Sequence, residues 1–409
     1  MPTISRKGKL TPASPIRKLV PYAEAALKKG VHIYYLNIGQ PDIKTPQVAL
    51  DAVKNNDVSI LSYSTSNGSE TYREKLAQYY AENDIHISSD DIIVTTGASE
   101  ALLFAIACIT DPHDEIIIPE PFYANYTSFA IAEGVNVIPI HTSIENKFSL
   151  PKISEFEKVI NQKTKAILIC NPGNPTGVVY NKEEIRQLKE LALKYNLFLI
   201  ADEVYREFVY DGETHHSIMS ENDMEQHSIM IDSISKRYSM CGARIGCIIS
   251  KNKVFLSAIM KMAQSRLSPP TYAQIAAEAA LQTPKSYFTE VVAEYTKRRN
   301  ILVKALKGID GVTVFKPKGA FYCIVELPVK DTDHFAQWLL EDFQDQQETV
   351  MVAPASGFYS TENLGKSQIR IAYVLQQKDL LRSVVILKKG LATYTHLFPN
   401  KTLESVPSS

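Results

Sequence analysis

The chain has 409 residues, of which 45% are hydrophobic and 22% charged, and its formal net charge is -1 at pH 7. These values describe an ordinary globular protein with room for two domains. Interspersed charges leave no basic stripe for nucleic acid or a membrane surface, so a small, neutral partner is expected.

The first residues, "MPTISRKGKLTPASPIRKL", lack the apolar core of a signal peptide, and no window reaches the length of a membrane span. The expected location is cytoplasmic. The five cysteines, Cys108, Cys170, Cys241, Cys247 and Cys323, are scattered among mostly apolar neighbours, which predicts reduced thiols rather than disulfides or zinc ligands.

From about residue 91 short apolar runs alternate with amphipathic segments. In chain order they are "DIIVTTGAS", "EALLFAIACI", "DEIIIPEP", "YANYTSFAIAEG", "VNVIPI", "KAILICNPGNPTG", "KEEIRQLKELALKY", "LFLIADEVY", "HSIMIDSIS" and "GCIISK". This alternation predicts an α/β fold with a mostly parallel, helix-covered sheet, in which ligands sit at the C-terminal strand ends. Polar residues follow those runs: Gly97 to Ser99, Asn171 to Gly177, Asp202 with Tyr205, and Ser233 to Lys236. Beyond about 285, "YFTEVVAEYTKRRNILVKAL", "VTVFKPKGAFYCIVEL", "HFAQWLLEDF" and "QIRIAYV" predict a smaller α+β unit, on which residues 1–45 could pack. Trp338 lies at helical spacing and reads as core, His215 and His216 read as a solvated loop, and "LESVPSS" reads as a loose tail.

The run "LFLIADEVY" ends a doubly buried strand on Asp202, and an ionised carboxylate there needs a partner. One candidate is magnesium in a Walker B element. That requires a phosphate loop, and the only "GKS", at 365–367, has Ser360 in place of the first glycine and follows the acid strand. The other candidate is a protonated aromatic nitrogen, a ring able to absorb electrons from a substrate carbanion. Such a ring needs a lysine for a Schiff base, and Lys236 stands just past a strand end, flanked by Ser233, Ser235 and Arg244, which are good phosphate ligands.

Four stretches together, "LNIGQPD" (36–42), "NPGNPTG" (171–177), "ADEVY" (201–205) and "SISKRYSMCGARIG" (233–246), resemble the class I/II, fold-type I aminotransferases dependent on pyridoxal 5'-phosphate. "YSTSNGSETYREKLAQYY" and "IRIAYV" extend the resemblance over most of the chain. It implies a large cofactor-binding domain at 46–285 and a small discontinuous one from 1–45 and 286–409. It further implies that Lys236 forms the Schiff base and moves the proton, that Asp202 pairs with the ring nitrogen, and that Tyr205 and Asn174 bond the phenolic oxygen. Tyr123 would stack on the ring, while Ala98, Ser99, Ser233, Arg244 and a neighbouring subunit's Tyr63 would hold the phosphate. Arg370, with Asn174 and the backbone of Gly39, would grip the substrate α-carboxylate.

The implied activity transfers an amino group from an L-amino acid, aspartate-like or broad, to a 2-keto acid such as 2-oxoglutarate, in a homodimer with shared active sites and no metal. Arg266 is near a segment that supplies a specificity arginine in some relatives. A carbon-sulfur β-lyase on the same cofactor is the alternative chemistry, because the residues that hold the cofactor do not decide which bond breaks. A non-catalytic regulator of this fold would need a DNA-binding segment that the sequence does not show before residue 31.

Overall fold

Seven apolar runs become the strands of one sheet: β1 (Ile92–Thr95), β2 (Glu115–Glu120), β3 (Asn136–His141), β4 (Thr164–Cys170), β5 (Phe198–Asp202), β6 (Ser228–Ser233) and β7 (Gly246–Ile249). The computed structural model describes residues 2–399, so the expected "LESVPSS" tail lies outside the described residues. The strand order is β1-β7-β6-β5-β4-β2-β3. All neighbours are parallel except around β7, which runs antiparallel to both β1 and β6.

Alternation along each strand sends side chains to opposite faces. Ile167, Ile169, Leu199 and Ala201 enter one apolar layer, and Ala166, Leu168, Ile200 and Ile231 the other. With both faces covered there is no polar face to alternate with, which explains the continuous apolar runs. Truncating a side chain such as Ile200, fully buried in the central strand, costs about 2–5 kcal/mol.

Six helices matter for the site: α1 (Glu70–Ala81), α2 (Gly97–Ile109), α3 (Asn125–Glu133), α4 (Lys182–Tyr195), α5 (Ile234–Arg237) and α6 (Lys253–Arg266). Helix α4 shows why the sequence places its helices: Asn181 and Glu184 form a capping box at its start, and Asn196 closes it in the left-handed conformation at φ 54°. Helix α2 differs. No side chain caps its N-terminus, so its first-turn N–H groups are available to an anion.

Among the described residues the chain divides into two compact units, one formed by 2–12, 40–293 and 318–320, the other by 13–39, 294–317 and 321–399. Relative to the expected 46–285 division, residues 2–12 go with the larger unit, where Lys7 Nζ donates to the carbonyl of Ala132. The smaller unit is α+β. Its strands Ala353–Pro354, Gln368–Ala372, Tyr322–Glu326 and Thr313–Val314 form an antiparallel sheet in that order. A parallel pair joins His32–Tyr35 to Glu348–Met351. Trp338 is 6% exposed and stacks on Phe343 at 5.3 Å, a core position as expected. Among the described residues no helix is long and apolar enough to cross a membrane.

Candidate active site

Asp202 ends β5 and is 4% exposed. Desolvation pushes its carboxyl up to about 6, against the opposing pull of Tyr126, the Val204 N–H and the charge of Lys236. The Tyr126 hydroxyl donates to Asp202 Oδ2 at 2.7 Å and the Val204 N–H to Oδ1 at 3.3 Å. Sequence reasoning missed Tyr126, although it follows Tyr123 by one helical step and both belong to the quoted "YANY". Tyr123 meets it edge to face, ring centroids 5.5 Å apart, and accepts on its hydroxyl from Asn125 Nδ2 at 2.8 Å.

The neighbouring strand end brings in Asn174. β4 pairs Cys170 with Asp202, and the Asn171 N–H donates to the Asp202 carbonyl at 3.0 Å. Asn174 is buried in the tight loop that follows, where the Gly173 N–H reaches the Val178 carbonyl at 2.8 Å. Tyr205 is 3% exposed, and its carbonyl accepts from the Phe208 N–H at 2.8 Å in the turn after β5.

Ser233 ends β6 and caps α5, the short helix bearing Lys236; its hydroxyl donates to the Ile245 carbonyl at 2.7 Å and accepts from the Ser235 N–H at 3.1 Å. Lys236 is half-buried, with Nζ 3.6 Å from Cys241 Sγ. Arg244 adopts the left-handed conformation at φ 56° and donates from Nη1 to the Cys241 carbonyl at 2.9 Å. Its guanidinium crosses Gly97, where a Cβ would lie 2.3 Å from Nη2. A Cβ on Gly246 would lie 2.6 Å from the Ala98 backbone nitrogen. Glycines thus let Arg244 and β7 close on the uncapped start of α2, where Ala98 and Ser99 stand. The result is a cradle of N–H groups, a hydroxyl and a guanidinium, of the kind that takes a phosphate ester.

Two further residues singled out in the sequence are Arg266 and His215. Arg266 bonds Glu100 through Nη1 at 2.7 Å and the Ser66 carbonyl through Nη2 at 2.8 Å. It is held by Glu100 of α2 and a backbone oxygen. His215 is no solvated residue: its side chain is 8% exposed and lies 3.4 Å from Glu203 Oε2. Burial drives its ring well below the usual histidine range and pushes Glu203 up to about 7. Tyr63 stands apart from this cluster in the chain, 78% exposed.

In the smaller unit Arg370 is 1% exposed. Its guanidinium carbon lies 4.6 Å from the Tyr322 ring centroid and 4.9 Å from that of Phe358, while Nη2 donates to the Asn37 carbonyl. The Tyr322 hydroxyl packs directly on Gly39, where any Cβ would collide with it. All five cysteines are free. No cluster of three potential metal-ligating side chains occurs among the described residues.

The model of the family described as aminotransferase class I and II matches residues 31–385. The chain belongs to that family. An aspartate aminotransferase of Bacillus subtilis is 31% identical over 395 residues, 94% of this chain and 97% of the relative. An aromatic-amino-acid aminotransferase of Thermococcus litoralis is 30% identical over 399 residues, 95% of this chain and 98% of its own. Among solved structures, the aspartate aminotransferase of Thermotoga maritima superposes with a TM-score of 0.86 at 32% identity, covering 95% of this chain and 100% of that one. This aminotransferase therefore has the fold-type I architecture, with the mixed sheet and the smaller domain described above. Because relatives of similar identity carry different substrate names, overall identity does not assign its donor.

Proposed function

We propose that this aminotransferase uses pyridoxal 5'-phosphate to move the amino group of an aspartate-like or broad range of L-amino acids to a 2-keto acid such as 2-oxoglutarate. One observation carries the reading. The buried Asp202 ends β5 and Lys236 follows its parallel neighbour β6, at the same strand ends where Arg244 crosses Gly97 over the uncapped start of α2. A carboxylate, an amine and an anion cradle match the three ends of that cofactor.

When bound, the cofactor would supply a cationic ring that takes up the electron pair left as the substrate α-proton departs. Lys236 Nζ would hold the cofactor and serve as the base that takes the substrate α-proton. Asp202, aimed by Tyr126 and the Val204 N–H, would hold the ring at its nitrogen and keep it cationic. Its charge form is unfavourable alone and becomes favourable beside a cation. Tyr205 and Asn174 would donate to the phenolic oxygen, and Tyr123 would pack on the ring. Ser233, Arg244 and the backbone and hydroxyl groups of Ala98 and Ser99 hold the phosphate.

In the smaller unit, Arg370 and the backbone of Gly39 would take the α-carboxylate, and burial between two aromatic faces keeps the Arg370 fork in one orientation. A homodimer completes this reading, with Tyr63 of one subunit serving the phosphate of the other. Ile60, Leu61 and Tyr63 are 79%, 58% and 78% exposed in the single chain, an apolar run suited to burial against a second copy.

Replacing Lys236 by alanine tests the catalytic assignment. The visible band that pyridoxal phosphate gives with the wild-type protein should vanish, together with exchange of the aspartate α-proton in heavy water. A surviving band would put the covalent link on another lysine. Initial rates with aspartate, aromatic and alanine donors and 2-oxoglutarate as acceptor test the substrate: no turnover of aspartate would contradict the proposed donor.

A further inference from the structure

The helix that carries Lys236 has four residues, too few to hold its own shape, since the first turn fixes several dihedrals for a single hydrogen bond. Its direction is set by its anchors, and one carboxylate anchors both ends. Asp232 is 1% exposed. Its Oδ1 accepts from the N–H of the capping residue Ser233 at 2.7 Å. Its Oδ2 accepts from Nη2 of Arg237, the last residue of the helix, and from the Tyr80 hydroxyl at 2.6 Å.

Arg237 is held from its other side as well. It is 2% exposed, its guanidinium carbon lies 4.3 Å from the Tyr79 ring centroid, and Nε lies 3.7 Å from the Glu207 carboxylate, to which Tyr79 also donates. A buried ion pair of this kind contributes little net stability, because desolvating both charges offsets their attraction. What it does supply is a fixed geometry, and here the fixed backbone lies immediately before and after Lys236.

We propose that Asp232 and Arg237, with Tyr80 steadying the carboxylate, are positioning residues that aim Lys236 Nζ at the aldehyde carbon of the cofactor. The inference rests on Lys236 being the reactive lysine. In the step concerned, the Nζ lone pair adds to the aldehyde carbon, the nitrogen loses two protons, and these leave with the carbonyl oxygen as water while a C=N bond forms. The clamp touches neither substrate nor cofactor and acts through the lysine alone.

The test mixes cofactor-free protein with pyridoxal phosphate and follows the growth of the visible band. Arg237→Met, which keeps length and apolar packing, should slow that growth on the order of tenfold or more. In a Lys236→Ala background, where only non-covalent retention remains, the same substitution should change retention, measured by equilibrium dialysis, by about twofold at most. Tyr80→Phe removes one hydrogen bond to Asp232 and leaves the ring, so it should slow band growth by roughly two- to fivefold in a protein that still folds. It decides the matter if Arg237→Met does not fold. Wild-type rates in every folded variant, or an equal loss of retention without Lys236, would overturn the clamp. A band that persists in Lys236→Ala alone would instead remove the lysine assignment, so the two failures are distinguishable.

Discussion

Asp202 and Glu203 are adjacent carboxyls with opposite surroundings. Asp202 faces Lys236 and Tyr126, with burial holding its carboxyl near 6, so a bound cation would restore its charge. Asp202→Ala should keep the visible band yet slow the aspartate half-reaction by roughly a thousandfold, about 4 kcal/mol of transition-state stabilisation; stopped-flow absorbance checks this, and normal turnover would refute the electron-sink role. Glu203 points instead to Ser217, Ile218 and His215. Its folded-state value of about 7 lies above the ordinary 4.5, so its contribution is complete at pH below 4.5 and is lost as pH rises through 7. His215, depressed by burial, works in the opposite sense, gaining as pH rises through the ordinary histidine range. Comparing wild type with Glu203→Gln, which keeps His215, isolates the carboxyl: between pH 5 and 8 urea denaturation should show the variant gaining about 2–3 kcal/mol over wild type. A pH-independent difference would contradict the buried, neutral carboxyl.

At the scale of elements, the strand ends were readable because polar residues followed apolar runs, directly for Asp202 after "LFLIA" and a few residues on for Lys236 after "SIMI". The antiparallel direction of β7 was not, because "GCIISK" has the same composition whichever way it runs. Nor was the contact of Tyr126 with Asp202, made across 76 positions of chain, or the link from Asp232 to Tyr80 across 152. His215 was misread because the polar run "DGETHHS" signals solvent, while in the fold its side chain is buried 3.4 Å from Glu203 on another segment. Glycine at 97 has a local requirement that alignment of motifs does not reveal: its φ is +78° and Arg244 occupies the space of a Cβ. Gly97→Ala should therefore weaken retention of the cofactor by on the order of tenfold or more, read by dialysis, with loss of the Arg244 contact as the cause. Gly246→Ala meets backbone atoms of Gly97, Ala98 and Asp232 within 2.6–2.9 Å, so it should lower overall stability by about 2 kcal/mol or more. An unchanged denaturation midpoint would show that β7 can move freely away from the start of α2 and from β6.

For the whole molecule, the family, the fold and the transaminase activity follow from motifs spread over most of the chain, whereas donor identity depends on a few side chains whose direction the sequence conceals. Arg266 illustrates this, since its charge is engaged by Glu100. Arg266→Ala should accordingly leave aspartate KM within about twofold while loosening the start of α2. The exposed Ile60, Leu61 and Tyr63 predict a solution mass of two chains by sedimentation, and Tyr63→Phe should weaken cofactor retention on the order of tenfold without dissociating the dimer. A monomeric, fully active protein would contradict shared sites.

The most direct measurement is the absorbance spectrum of the protein loaded with pyridoxal phosphate, recorded before and after adding aspartate with no keto acid present. Loss of the visible band in proportion to protein, with one equivalent of oxaloacetate released per site and no ammonia, is the predicted result. A protein that never develops the band, or one that keeps it while releasing ammonia from its amino-acid substrates, would contradict the account.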